Sequence, residues 1–250
     1  METPATLKAT NETEAREELI QLIVNAFHRT IVHYAHWWTE VESQLGLTEC
    51  LATERDVWSR SFPLQMKRLG KVLGFEVGED GVPAALRDKS SQELREVLEA
   101  FSVNWLASDG IWFQAVEKRK GMTQAKSCND AAWGHFSPFE AECIRATHKL
   151  PDGPPLLVLA SALHHRLYAH VNSYTIEHPD DNTLILRMND CRVQSARKRK
   201  GLDDYPCKSG GIVEYTTFAS TIDPQIRTEC LGCPPDAHPE EWYCAWRFTV

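Results

Sequence analysis

The sequence predicts an α+β protein, helical to about residue 152 and mixed beyond it. Three observations predict this. Apolar residues recur at helical spacing from Glu14 to about Leu45, at Leu19, Leu22, Ile23, Ala26, Phe27, Ile31, Tyr34, Trp38 and Val41. A second stretch then repeats the first without a gap. Past Pro151-Asp-Gly-Pro-Pro155 the pattern changes to short alternating runs around turn residues, the mark of antiparallel hairpins.

Taken in order, residues 1–13 are polar and read as a flexible tail. Gly46 ends the first helix, Thr48 is placed to cap the next, and Pro63 is expected to begin a third helical piece. A shift of 75 residues places Trp37 on Trp112, Trp38 on Phe113, Val41 on Val116, Glu42 on Glu117, Gly46 on Gly121, Trp58 on Trp133 and Pro63 on Pro138. Helix stop, cap and proline thus recur in one order, so residues 14–75 and 89–150 read as two three-helix repeats forming a helical domain, 14–152. Ser90 and Glu93 form a capping box for the second copy.

Residues 153–250 read as an α+β metal-binding domain. A helix is expected from Leu156 to about Val171. A hairpin follows, with strands 172–177 and 183–188 around Pro179-Asp-Asp-Asn182. Two helices come next, one basic from Cys191 to Lys200 and one from Cys207 to Ser220. A last hairpin pairs Ile226–Glu229 with Trp242–Val250.

Composition bounds the function. The chain of 250 residues is 42% hydrophobic and 25% charged, enough for a substantial core. A net charge of −8 argues against a general nucleic-acid binder. No apolar run approaches the roughly 18 residues of a membrane span, and the N-terminus has no basic-then-apolar leader. A cytoplasmic location is expected, where eight cysteines stay reduced. No phosphate-binding loop, nucleophile elbow or dinucleotide fingerprint is present.

Four of the eight cysteines, Cys207, Cys230, Cys233 and Cys244, fall in the last 44 residues. Cys230 and Cys233 form a C-x-x-C beside Gly232 and Pro234. Thiolates two apart on a turn, joined by one from the partner strand and one from the preceding helix, suit a soft metal ion. Zinc is the expected ion and an iron–sulfur cluster the alternative.

Further constellations carry chemistry. His33, His36 and Glu40 share one helical face and could hold a second metal with open positions for water and substrate. Asn104, Asp109, Asn129, Asp130 and His135 form a polar set in the other copy. If the copies pack face to face, both sets would line one cavity, with Asp109 or Asp130 as general base. The plainer reading of both aspartates is as helix-end residues. Glu42 and Glu117 occur in both copies and suit a structural role. Arg192 and Arg197 could grip a carboxylate or phosphate, and Cys191, among cations at a helix start, could be a low-pKa thiol or a buried packing cysteine.

The order hairpin, helices, hairpin, with Cys207, Glu229, Cys233 and Cys244, resembles the 4-vinyl-reductase domain over about residues 155–250. The resemblance implies a zinc ion on these residues below a small-molecule pocket, as in sensors of aromatic compounds. Here the interval to Cys244 is longer, and Cys230 is additional, so either Glu229 or Cys230 is the fourth ligand. The whole chain also resembles an uncharacterised family of bacterial cytosolic proteins, through H-W-W-T-E-V-E, N-W-L-A-S-D-G-I-W-F-Q-A-V-E and M-N-D-C-R-V-Q-S-A-R-K-R-K-G-L.

Three functions follow as expectations. The first is a metal-dependent enzyme of hydrolase type, with His33, His36, Glu40, Asp109 and Asp130 catalytic and Arg192, Arg197, Asn104 and His135 binding substrate. The second is a zinc-stabilised small-molecule sensor. The third is an iron–sulfur electron carrier. Partners are a small molecule and, as a further expectation, a second copy in a homodimer, with neither nucleic acid nor membrane.

Overall fold

A computed structural model describes residues 4–201 and 203–250, with side chains for 15–201 and 203–250. The protein is α+β, as the sequence predicts. It divides into two units, 1–81 and 82–250. Pro151–Pro155, where the sequence changes pattern, lies inside the second unit.

The first unit is a helical hairpin, α1 (Pro4–Leu45) and α2 (Leu47–Leu73). Helix α1 includes residues 4–13 of the expected tail; residues 1–3 lie outside the described residues. Gly46 makes the turn at φ 85°, a backbone setting that glycine adopts without a Cβ penalty. Thr48 does not cap α2: the helix starts at Leu47, and its N-cap Gly46 has no side chain to offer. Pro63 does not restart the chain either, since it sits inside α2. Where packing holds the surrounding turns, one lost backbone bond does not end a helix. Cys50 is buried with its Sγ 3.6 Å from the Trp38 carbonyl, and Trp38 Nε1 donates to Glu42 at 2.8 Å.

The second unit opens with the short helix α3 (Ala84–Arg87), then repeats the hairpin in α4 (Ser91–Lys120) and α5 (Met122–Thr147). The Ser90–Glu93 capping box is formed in both directions. Gly121 turns at φ 84° and ψ 169°, against 85° and 163° at Gly46, so the repeated residues carry a repeated turn. Pro138 again lies within the helix.

Helix α6 (Pro155–Leu163) ends earlier than its apolar pattern suggests, and a 3-10 turn follows at Leu167–His170. The break falls at Arg166, which is extended (φ −66°, ψ 149°). Strands β1 (Ser173–Asp180) and β2 (Thr183–Asp190) form the first hairpin. Helices α7 (Arg192–Lys198) and α8 (Lys208–Ile222) come next, and β3 (Arg227–Gly232) and β4 (Cys244–Thr249) form the second hairpin.

All four strands form one antiparallel sheet in the order β1-β2-β4-β3. Opposed pairs Leu184–Phe248, Leu186–Trp246 and Met188–Cys244 share its inner face. That face packs on Phe218, Ala219 and Ile222 of α8, Leu156 and Leu159 of α6, and Ala141 and Ile144 of α5. Gly211 lets α8 approach the sheet: a Cβ there would meet Trp246 Cζ2 at 2.6 Å. Among the described residues no helix is long and apolar enough to cross a membrane.

Candidate functional site

Where the sheet's inner face meets α4, α7 and α8, the second unit encloses a cavity of about 420 Å³. That volume suits a small organic ligand. Six aromatic residues stand in its wall, in three contacting ring pairs. Trp133 stacks on Tyr168 with centroids 5.6 Å apart, Tyr215 lies 4.8 Å from Trp246, and Phe113 meets Tyr205 edge-on at 5.1 Å. Trp105 packs behind the first pair, 5.8 Å from Trp133 and 5.0 Å from Tyr168.

Beside these rings lies a buried ion group that sequence reasoning missed. Arg166 Nε donates to Glu140 Oε2 at 2.8 Å, and Arg166 Nη1 lies 2.7 Å from Glu214 Oε1. The Leu167 backbone N–H also donates to Glu140, at 2.8 Å. The guanidinium lies over the rings of Phe218 and Tyr215, at 4.6 and 5.4 Å from their centroids. One arginine thus ties α5, the 3-10 turn and α8 together. Glu214 also lines the cavity. Burial pushes its carboxyl up to about 7, against the lowering pull of Arg166. The sequence does hold one signal for it: Glu214 is the lone carboxylate in the apolar run of α8.

Three of the expected metal ligands, Cys207, Cys233 and Cys244, line the cavity. Cys207 Sγ and Cys233 Sγ are 3.5 Å apart, and Cys233 is also within hydrogen-bonding reach of Cys244. The bond from Cys233 holds the Cys207 thiol below its ordinary range, while Cys233, as donor to both neighbours, is raised. Gln194 Nε2 also donates to Cys207, at 3.5 Å. Glu229 is not part of this group. It sits opposite Arg247 in the register and pairs with it at 2.8 Å, on the sheet face opposite to Cys244 and Trp246. Cys230, opposite Trp246, faces inward but packs against the core edge. Cys191 from α7 lies close enough to Cys207 and Cys244 to feel their charge, and burial pushes its thiol up to about 12. That is the reverse of an activated nucleophile. Among the described residues no three His, Cys, Asp or Glu side chains are set around a common ion position.

The expected catalytic set is not assembled in this cavity, which is built wholly from the second unit. His33, His36 and Glu40 belong to α1 of the first unit and are exposed, with Glu40 accepting from Gln44 at 3.1 Å. Asp109 does line the cavity, and burial raises its carboxyl. Asp130 instead pairs with Lys126 at 3.1 Å. Arg192 and Arg197 border the cavity, and Arg197 Nε is held by the Asp203 carbonyl at 2.6 Å. Asn104 and His135 are exposed and outside the lining. Glu117 lines the cavity, and the position matching Trp38, whose indole serves Glu42 in the first unit, is here Phe113.

The model of the family of unknown function DUF6125 matches residues 85–250. The chain belongs to this family. The DUF6125 match begins at α3 and takes in the whole cavity and thiol group. No curated protein matches the chain. Among solved structures, the phenol-responsive sensory domain of the transcription activator PoxR, crystallised with phenol, matches at a TM-score of 0.41. The match has 17% identity and covers 57% of this chain and 72% of that one. Neither match shows the 4-vinyl-reductase likeness read from the sequence.

Proposed function

We propose that this DUF6125 protein is a small-molecule-binding protein whose ligand site is the cavity of the second unit. The observation that carries the reading is the cavity itself. About 420 Å³ of space is walled by Trp133, Tyr168, Tyr215 and Trp246, with the polar atoms Trp246 Nε1 and Tyr205 Oη lacking protein partners. Buried donors without partners in an aromatic cavity are groups that a ligand can satisfy. A zinc ion on Cys207, Cys233 and Cys244, with Cys230 and Cys191 both near Cys244, would brace the end of this cavity. In support, the 3.5 Å sulfur contact is near the roughly 3.8 Å edge of a tetrahedron with Zn–S bonds of about 2.3 Å. We place the protein in the cytoplasm, where such thiols stay reduced. We also propose a homodimer through the first unit. Ile31 and Trp58 there are 69% and 56% exposed, while their repeat counterparts Leu106 and Trp133 are 8% and 6% exposed. The hydrolase reading gains no observation, since no histidine lines the cavity.

Tryptophan fluorescence titrated with a panel of small aromatic compounds tests the ligand site, because Trp133 and Trp246 are in its wall. Saturable quenching, lost on Trp246→Leu in a protein that still folds, is the expected result. No response to any member would overturn the reading. Elemental analysis tests the metal. One zinc per chain is expected, and a brown protein with broad visible absorption would instead mark an iron–sulfur cluster.

A further inference from the structure

We propose that the cavity takes a small organic cation, a protonated amine on a flat apolar body, with its ammonium group between Asp109 and Glu214 and its body against the rings. The inference rests on the ligand-binding reading above and names the chemical class of that ligand. It starts from charge. Glu140 and Glu214 share a single guanidinium, and Asp109 lines the same cavity. With all four groups ionised, three carboxylates face one arginine. Glu140 is the well-satisfied member, taking Arg166 Nε and the Leu167 N–H. Glu214 has Arg166 Nη1 alone, 2.7 Å from Oε1, and no second partner at that oxygen. Asp109 is raised by burial alone, with no cation lowering it, and it in turn raises Glu214. Both carboxylates line the cavity, and among the described residues the cation paired with Glu214 is Arg166, which Glu140 already shares.

Buried like charges are costly unless a counter-charge arrives. A protonated amine supplies that charge and up to three donors. A phenol or alcohol supplies one donor and no charge. The walls favour the same choice, because indole and phenol faces attract a cation most strongly when it is stripped of water. Arg166 already shows this in the same unit, seated over Tyr215 and Phe218. Arg192, Arg197 and Lys200 also border the cavity, but on α7 and just beyond it, and Arg192 and Lys200 are exposed. They form a basic rim, and none is among the groups that lower Asp109 or Glu214.

The test uses the full chain and three probes of one shape, benzylamine, benzyl alcohol and benzoate, followed by tryptophan fluorescence and calorimetry. The buffer is set about one pH unit above the Glu214 value of about 7, so that Glu214 is charged. Benzylamine is expected to bind at least about tenfold more tightly than benzyl alcohol. Asp109→Asn and Glu214→Gln should each remove most of that preference while leaving benzyl alcohol within about threefold of the parent. If Glu214→Gln does not fold, Asp109→Asn carries the test alone, because Asp109 belongs to no ion pair of the core. Equal or tighter binding of benzyl alcohol overturns the cation and leaves the ligand site standing. Tightest binding of benzoate overturns it in favour of an anion held at the Arg192–Arg197 rim. Failure of all three probes to bind, together with the aromatic panel above, sinks the ligand site itself.

Discussion

Arg166 lies 2.7 Å from Glu214 while holding Glu140 with its other edge, and both contacts are buried. Two carboxylates from helices 74 positions apart in the chain are thus fixed by a residue that belongs to neither helix. The extended backbone at Arg166, between α6 and the 3-10 turn, aims the guanidinium between them.

Arg166→Met keeps the bulk of the side chain and removes the charge. It leaves Glu140 and Glu214 facing each other without a counter-ion. Losing one partner of a buried pair costs about 3–5 kcal/mol. Chemical unfolding of the variant should show a loss of that order at neutral pH, recovered in part by adding Glu214→Gln. A loss below about 1 kcal/mol would mean that the group is hydrated and not buried.

Glu214 makes folding stability depend on pH. Around its carboxyl stand Arg166, Glu140, Asp109, Tyr215 and Tyr168. Its folded value, about 7, exceeds the ordinary 4.5, so the folded state holds this proton more tightly than the unfolded one. The contribution to stability is therefore greatest below about 4.5 and declines as pH rises to about 7. Glu214→Gln should flatten this segment of the stability profile. An unchanged slope in the variant would show that other groups set it.

The thiol group is tested by parity along the strand. If the proposed zinc is bound, Cys233→Ser and Cys244→Ser should lower zinc content and unfold or aggregate the C-terminal region, because binding of a structural metal is coupled to folding. Glu229→Gln should change neither, as its side chain pairs with Arg247 on the other face. A zinc loss in Glu229→Gln equal to that in Cys233→Ser would reverse the assignment.

Gly211→Ala places a Cβ 2.6 Å from Trp246 Cζ2. Helix α8 or the indole must shift, at about 1–3 kcal/mol. Because Trp246 also walls the cavity, the same variant should bind aromatic probes more weakly. A melting temperature and affinity equal to the parent's would show that the helix and sheet have slack here.

What could be read from the chain alone was whatever depends on near neighbours. The Ser90–Glu93 cap, the stops at Gly46 and Gly121 and the strand pairs are set within a few residues or by simple periodicity, and they stand in the structure, whereas the expected three-helix repeat is a two-helix hairpin in each copy. Local signals misled where packing outweighed them: Pro63 and Pro138 ride inside helices, and the apolar run after Leu156 breaks at Arg166. Tertiary structure alone decided the rest. Strand register put Glu229 outside and Cys230, one residue on, inside, a difference that no composition encodes. The meeting of Glu140, Arg166 and Glu214, and the cavity beside them, required three distant segments to pack on one sheet face. Such convergence is fixed by the whole core and leaves no periodic trace in the sequence.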